Sequence, residues 1–284
     1  MAALAVAQRH VAAYRFLMLP AVAAVAAFYL VPILRVLVIS VTEPSLGLAN
    51  YLFVATSGAI RRVLLTTLQV SLLTSAVALL LGYVLAYYLT LARAGERRVI
   101  TFCVLVPFWL SVLVRAFAWI TILRKEGVLN SALLGLGLTE APLPLVYNRL
   151  GVVIGMVHYM TPYAVLVLYA HMQSIDRRLT DAARGLGATA LQAFWRIWVP
   201  LSLPGFAAAT ALVFIFSLGF YVTPALLGAG KTIMVAEYVG IQIETTLRWG
   251  VATAMSSVLL ATVIVLVALV GRLMSVQALF GGAR

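Results

Sequence analysis

The chain has 284 residues, 64% of them hydrophobic and only 10% charged, with a formal net charge of +12. Soluble domains are near half apolar and a quarter charged, so the composition excludes an ordinary water-soluble enzyme. The basic residues are dispersed and no recognition motif accompanies them, which argues against nucleic acid as a partner. A single cysteine, Cys103, leaves no intrachain disulfide.

A helix crosses a bilayer with about 20 apolar residues, and six segments qualify: 16–41, 65–91, 99–123, 150–172, 200–228 and 250–271. The predicted fold is therefore all-α and polytopic, one membrane domain over residues 1–284. The first segment is too long for the apolar region of a cleaved signal peptide, about 7–15 residues. Arg35 and Arg115 fall within spans. At 1.5 Å per residue Arg115 lies about 24 Å from the inner end of its span, close enough to the outer surface to snorkel. A charge inside a span is also a functional candidate. Trp119, one turn on, suits the interfacial aromatic belt. Residues 124–149 mix apolar residues with Gly and Pro and predict a short interfacial helix. His10, His158 and His171 are too widely separated to share a metal.

The fifth span ends in Gly219, Phe220, Tyr221, Thr223 and Pro224. Gly219 and Pro224 predict a kink or break there, and broken helices line transport paths. After it comes "LLGAGKTI", residues 226–233, which ends like a nucleotide-binding P-loop. The motif G-x-x-x-x-G-K-[ST] needs a glycine where Ala225 stands, so this reads as a turn with a solvated Lys231. Residues 229–249 then lead into a short amphipathic helix. If 233–247 is helical, Glu237 and Glu244 share a face with Tyr238 beside the first. Carboxylates beside aromatic rings suit a cationic amine; a solvated external helix is the plainer reading.

Orientation follows the basic residues. With a cytoplasmic N-terminus the inside carries Arg9, Arg15, Arg93, Arg97, Arg98, Arg177, Arg178, Arg184, Arg196, Arg272 and Arg284, eleven against seven outside. That bias favours both termini inside. The longest inside loop runs from Gln173 to Gly205. Asp176 can cap a first short helix, which Gly185 and Gly187 stop. Thr189 with Gln192 forms a capping-box pattern for a second. Phe194, Ile197 and Trp198 share one face, and Pro200 and Pro204 end that helix before the next span. The loop reads as a helix–turn–helix knob with an apolar edge.

Here a resemblance enters. Asp181-Ala182-Ala183, three residues, Gly187, nine residues, Ile197-x-Val199-Pro200 resembles the EAA loop of binding-protein-dependent ABC importer permeases, E-A-A, x3, G, x9, I-x-L-P, with Asp for Glu and Val for Leu. "GLANY" (47–51), "LLLGYVLAYYL" (79–89), "VPFWLSVLVRAFAWITIL" (106–123), "GVLNSALLGLGL" (127–138) and "FSLGFYVTPALLG" (216–228) are similar to spermidine/putrescine-type permeases; Thr66-Thr67 stands where that subfamily has Asn-Thr. The resemblance implies a permease subunit in the bacterial inner membrane that is not itself an enzyme. Its partners would be a second permease, two cytoplasmic ATPase subunits and an extracytoplasmic binding protein. ATP and Mg would be bound by the ATPases, with no cofactor in this chain. The EAA loop, about 174–204, would couple to them through Asp181, Ala182, Ala183, Gly187, Ile197 and Pro200. Arg115, Phe220, Tyr221, Glu237, Tyr238 and Glu244 are the candidates for the solute pathway. A polyamine is the expected solute; opines, amino-acid derivatives, phosphonates and ferric iron are the alternatives within the class. A secondary transporter would need intramembrane acids or paired broken-helix ion sites, and no acid falls in the six spans.

Overall fold

The computed structural model describes residues 2–273, with side chains from Met18 to Arg272. The side chains of Arg9, His10 and Arg15, and all of Arg284, lie outside the described residues. Every regular element among the described residues is helical: α1 Ala2–Thr42, α2 Ala49–Thr56, α3 Gly58–Leu91, α4 Ala94–Trp109, α5 Val112–Leu123, α6 Val128–Gly135, α7 Arg149–Met172, α8 Arg178–Gly185, α9 Ala190–Ala193, α10 Val199–Leu218, α11 Val222–Gly228, α12 Val235–Glu244 and α13 Trp249–Leu273. A five-residue π turn, Phe194–Trp198, joins α9 to α10. The short helices expected in 124–149 and 229–249 are α6 and α12.

Five stretches can cross a membrane unbroken: Met18–Thr42, Gly58–Leu91, Arg149–Met172, Ala190–Leu218 and Trp249–Arg272. The third expected span, 99–123, is not straight: α4 and the segment beginning at Val112 meet at 103°. Pro107 cannot donate to the ladder, and the Leu110 amide closes a tight turn onto the Pro107 carbonyl at 3.4 Å. Ser111 then accepts the Leu113 amide at 3.3 Å, so a cap starts a new helix where the old one frays. The fifth expected span, 200–228, is also two helices. It breaks at Gly219, while Pro224 sits in the first turn of α11, where a missing N–H costs nothing.

Pro200 and Pro204 do not end the helix before them, contrary to expectation. The helix runs on from Ala190 to Leu218. In the π turn the Val199 amide reaches back five residues to the Phe194 carbonyl. This shifts the hydrogen-bond ladder just before Pro200, so the proline's missing donor is absorbed.

The centre of the bundle is the seam between α3 and α7, with α10 packed on both. Ala78, Gly82 and Ala86 make a strip of small residues along α3. A Cβ added at Gly82 would lie 2.7 Å from the Cβ of Ala164. Between apolar helices in lipid, close van der Waals fit replaces the hydrophobic driving force. Opposite the α8–α9 end, Val235 N–H donates to Thr67 Oγ1 at 2.9 Å, tying α12 to α3. Among the spans, α1 is peripheral and contacts α13; Arg35 is exposed beside Val31, Leu34 and Val38.

Candidate functional site

α7 has 24 residues, about 36 Å of helix, and Tyr159 lies about 15 Å along it. Gly155, Tyr159 and Tyr163 recur every four residues and so share a face. Both helix breaks converge on that face. α11 approaches at Gly155, where an added Cβ would meet Thr223 Cγ2 at 2.7 Å. Phe108, near the end of α4, lies 4.8 Å from Tyr163, centroid to centroid. Phe216, near the end of α10, lies 5.5 Å from Tyr163, and Phe220, in the break itself, 4.6 Å from Tyr159. Tyr159 and Tyr163 stack at 5.7 Å.

Arg115 completes this cluster. Its guanidinium carbon lies 4.3 Å from the Tyr159 ring centre, and its Nε is buried without a hydrogen-bond partner. Trp119 Nε1 donates to His158 Nδ1 at 3.2 Å, which places the proton of a neutral imidazole on Nε2. The void left among Arg115, Trp119, His158, Tyr159 and Thr223 is about 10 Å³, the space of one water.

Two expectations are corrected here. Arg115 does not extend free of the helices but rests on the Tyr159 ring, and Trp119 is held by His158 instead of standing free. A straight span would carry Arg115 away from the bundle's centre; the 103° bend turns α5 against α7 instead. Tyr159, Tyr163, His158, Phe108 and Phe216 were missed. The period-four Gly155, Tyr159, Tyr163 pattern was the available signal, but aromatic residues facing lipid produce the same pattern.

The other candidates are separated. Tyr221 is 42% exposed, and its ring lies 3.2 Å from where a Cβ on Gly240 would be. Glu237 is only 6% exposed, with Oε2 unpartnered; burial raises its carboxyl above the ordinary value, partly opposed by a hydrogen bond from the Met234 backbone. Tyr238 packs in the outer core with Val54, Ile60 and Val251. Glu244, at the last position of α12, is exposed. The expected shared carboxylate face is therefore divided, because α12 packs its first turn against α3 and α13. Lys231 is exposed in a turn between α11 and α12, with Gly230 at φ +74; a P-loop lies between a strand and a helix.

The Gln173–Gly205 loop folds from local contacts. Asp176 Oδ1 accepts the Arg178 amide at 2.9 Å. The Thr189 amide donates to Gln192 Oε1 at 2.9 Å and the Gln192 amide to Thr189 Oγ1 at 3.2 Å, the expected capping box. Gly187 sits at φ +94, where an L side chain is strained. Asp181, Ala182 and Gly187 are exposed, Ala183 and Ile197 half-buried, and Pro200 exposed. The shared face of Phe194 and Trp198 turns inward, toward the bundle. Both rings pack on Tyr87 of α3, at 5.1 and 5.2 Å. The outward apolar groups are Leu179, Leu186, Leu191 and Trp195, with Leu186 91% exposed.

Residues 78–279 match the family described as "Binding-protein-dependent transport system inner membrane component". The chain is 32% identical over 207 residues to "Spermidine/putrescine transport system permease protein PotB" of Escherichia coli (strain K12), covering 72% of this chain and 75% of that protein. The protein of the same description from Haemophilus influenzae is 31% identical over 195 residues, 69% of this chain and 68% of that one. A chain of the crystal structure of a bacterial alginate ABC transporter, in complex with an alginate-bound periplasmic protein, has the same fold. Its TM-score is 0.80 at 20% identity, over 97% of this chain and 98% of that one.

Proposed function

The chain belongs to the binding-protein-dependent transport system inner membrane component family, and we propose that it carries a polyamine across the membrane as a permease subunit of an ATP-driven ABC importer. The observation that carries this reading is the Gln173–Gly205 loop. It is ordered by its own caps, bolted to α3 through Tyr87, and leaves Leu179, Leu186, Leu191 and Trp195 exposed on its surface. Isolated apolar side chains on a surface are ordinary; four on one rigid knob suit a protein groove.

In this proposal the whole chain is one membrane domain with both termini cytoplasmic. Asp181, Ala182, Ala183, Gly187, Ile197 and Pro200 shape the contact with one of two ATPase subunits, which hold ATP and Mg. Their closure moves the knob, and Phe194 and Trp198 pass the displacement to α3. Solute arrives from a binding protein on the other side and crosses between this chain and a sister permease, past Arg115, Tyr159, Phe220 and Tyr221. Glu237, Tyr238 and Glu244 lie toward its entrance. The similarity to the two PotB proteins supports a polyamine. The five aromatic rings support it too, since organic cations bind ring faces. The chain moves solute and leaves hydrolysis to its partners.

Reconstitution in proteoliposomes tests the reading. Uptake of putrescine or spermidine is expected only with the binding protein outside and ATP at the ATPases. Uptake driven by a proton or sodium gradient alone, without ATPase subunits, would remove the importer assignment. A thermal-shift screen of the cognate binding protein tests the solute: stabilisation by another class and not by polyamines overturns that part.

A further inference from the structure

We propose that Arg115 is a tethered cation occupying the solute's own seat on the Tyr159 ring, so that the pathway is held shut by a resident competitor and opens when the guanidinium leaves. This rests on the polyamine reading above. The face of an aromatic ring attracts a cation, and a second cation on the same face is repelled by the first. Arg115 already holds that position, at 4.3 Å.

No carboxylate competes for the arginine. α3, α5, α7, α10 and α11 contain no acidic residue, and Arg115 Nε has no hydrogen-bond partner. The ring is thus its main electrostatic partner. The same holds for a solute ammonium arriving here, which would find Tyr159, Tyr163, Phe108, Phe216 and Phe220 and no acid in those five helices. Solute and arginine therefore seek the same contact. The ring centres of Tyr159 and Tyr163 are 5.7 Å apart, close to the span of about 6 Å between the nitrogens of an extended four-carbon diamine. The void beside Arg115 and Tyr159, about 10 Å³, is too small for any polyamine, so that face of the Tyr159 ring is closed to solute while Arg115 is in place. Arg115 is also placed to move: it lies one turn beyond Ser111, where α5 begins after the break. Displacement of α5 would withdraw the guanidinium and free the Tyr159 seat beside Tyr163.

The test uses the complete complex of permeases and ATPases in nanodiscs, without binding protein, titrated with putrescine by calorimetry. Removing a cation–π competitor should tighten binding about twofold to thirtyfold in Arg115→Gln. Arg115→Met carries the same comparison where the Gln variant fails to assemble. Arg115→Lys, which keeps the charge, should stay close to wild type. Weaker binding in the neutral variants makes Arg115 a solute ligand and overturns the proposal; unchanged binding makes it a packing residue and does the same. Wild-type ATP-driven putrescine uptake is measured in parallel. Its absence overturns the polyamine reading and this inference with it, whereas intact uptake with unchanged binding overturns the arginine's role alone.

Discussion

Between Asp176 and Gln192 the loop's side-chain caps and turn hydrogen bonds join residues two to five positions apart. Arg115, Tyr159 and Phe220 come from two helices and the break between two others, 44 and 61 positions apart along the chain. One region is a contiguous word and the other a spatial assembly. The loop's shape survives wherever its own caps and glycine are kept. The cluster exists only while α5, α7, α10 and α11 hold their relative positions. A substitution in the loop should therefore harm coupling and spare the membrane fold, and one at a seam of the cluster should harm the fold first.

The largest expected effect is on coupling. Gly187→Asp places a side chain at φ +94, a strain of about 1–2 kcal/mol, and adds a negative charge to an exposed turn of the loop. ATP-driven uptake should be abolished while the amount of protein in the membrane stays normal. Unimpaired uptake would count against a docking role. Gly155→Val probes the other region. Its added atoms meet Thr223 and Leu227, at 2.7 and 3.0 Å already for a Cβ. Overpacking of this kind costs about 1–3 kcal/mol, so the thermal unfolding midpoint of the detergent-solubilised protein should fall. An unshifted midpoint would mean that α11 is not tightly seated on α7.

A smaller effect belongs to the cap. Thr189→Ala removes the acceptor for the Gln192 amide, worth about 1 kcal/mol. Uptake should drop less than in Gly187→Asp, with the unfolding midpoint of the membrane bundle unmoved; a fall in the midpoint would show that the loop is not an independent local unit. The smallest effect is a pH dependence at Glu237. Burial raises its carboxyl in the folded chain above the ordinary 4.5, so the folded state binds more protons than the unfolded one. Stability is then greatest below that ordinary value and is lost as pH rises from it through the raised folded value. Glu237→Gln should flatten this slope in unfolding measurements across mildly acidic to neutral pH. An identical slope in both proteins rejects the burial.

How much was legible follows the same division. Asp176, Gly187 and the Thr189–Gln192 box could be read because capping and left-handed turns depend on residues within one helical turn of each other. The Gly219 break was legible for the same reason. The Ser111 break was not, since a serine after an apolar run usually continues a span by bonding to its own helix. That Phe194 and Trp198 share one face was legible, but not which way that face points. Helical spacing says which side chains travel together and not what they meet, and here they meet Tyr87.

Read alone, the amino-acid sequence establishes an all-helical membrane chain, about six crossings, and a capped knob between the fourth and fifth. Transfer of apolar residues out of water and short-range capping are enough for that, and both act locally. Only the tertiary structure decides that α5 folds back on α7, that Arg115 rests on Tyr159, and that Glu237 is buried while Glu244 is not. In lipid, one apolar helix face is nearly as well solvated as another, so hydropathy does not choose neighbours. Steric fit chooses them, at contacts such as Gly82 on Ala164 and Gly155 on Thr223, and that fit exists only once the helices meet.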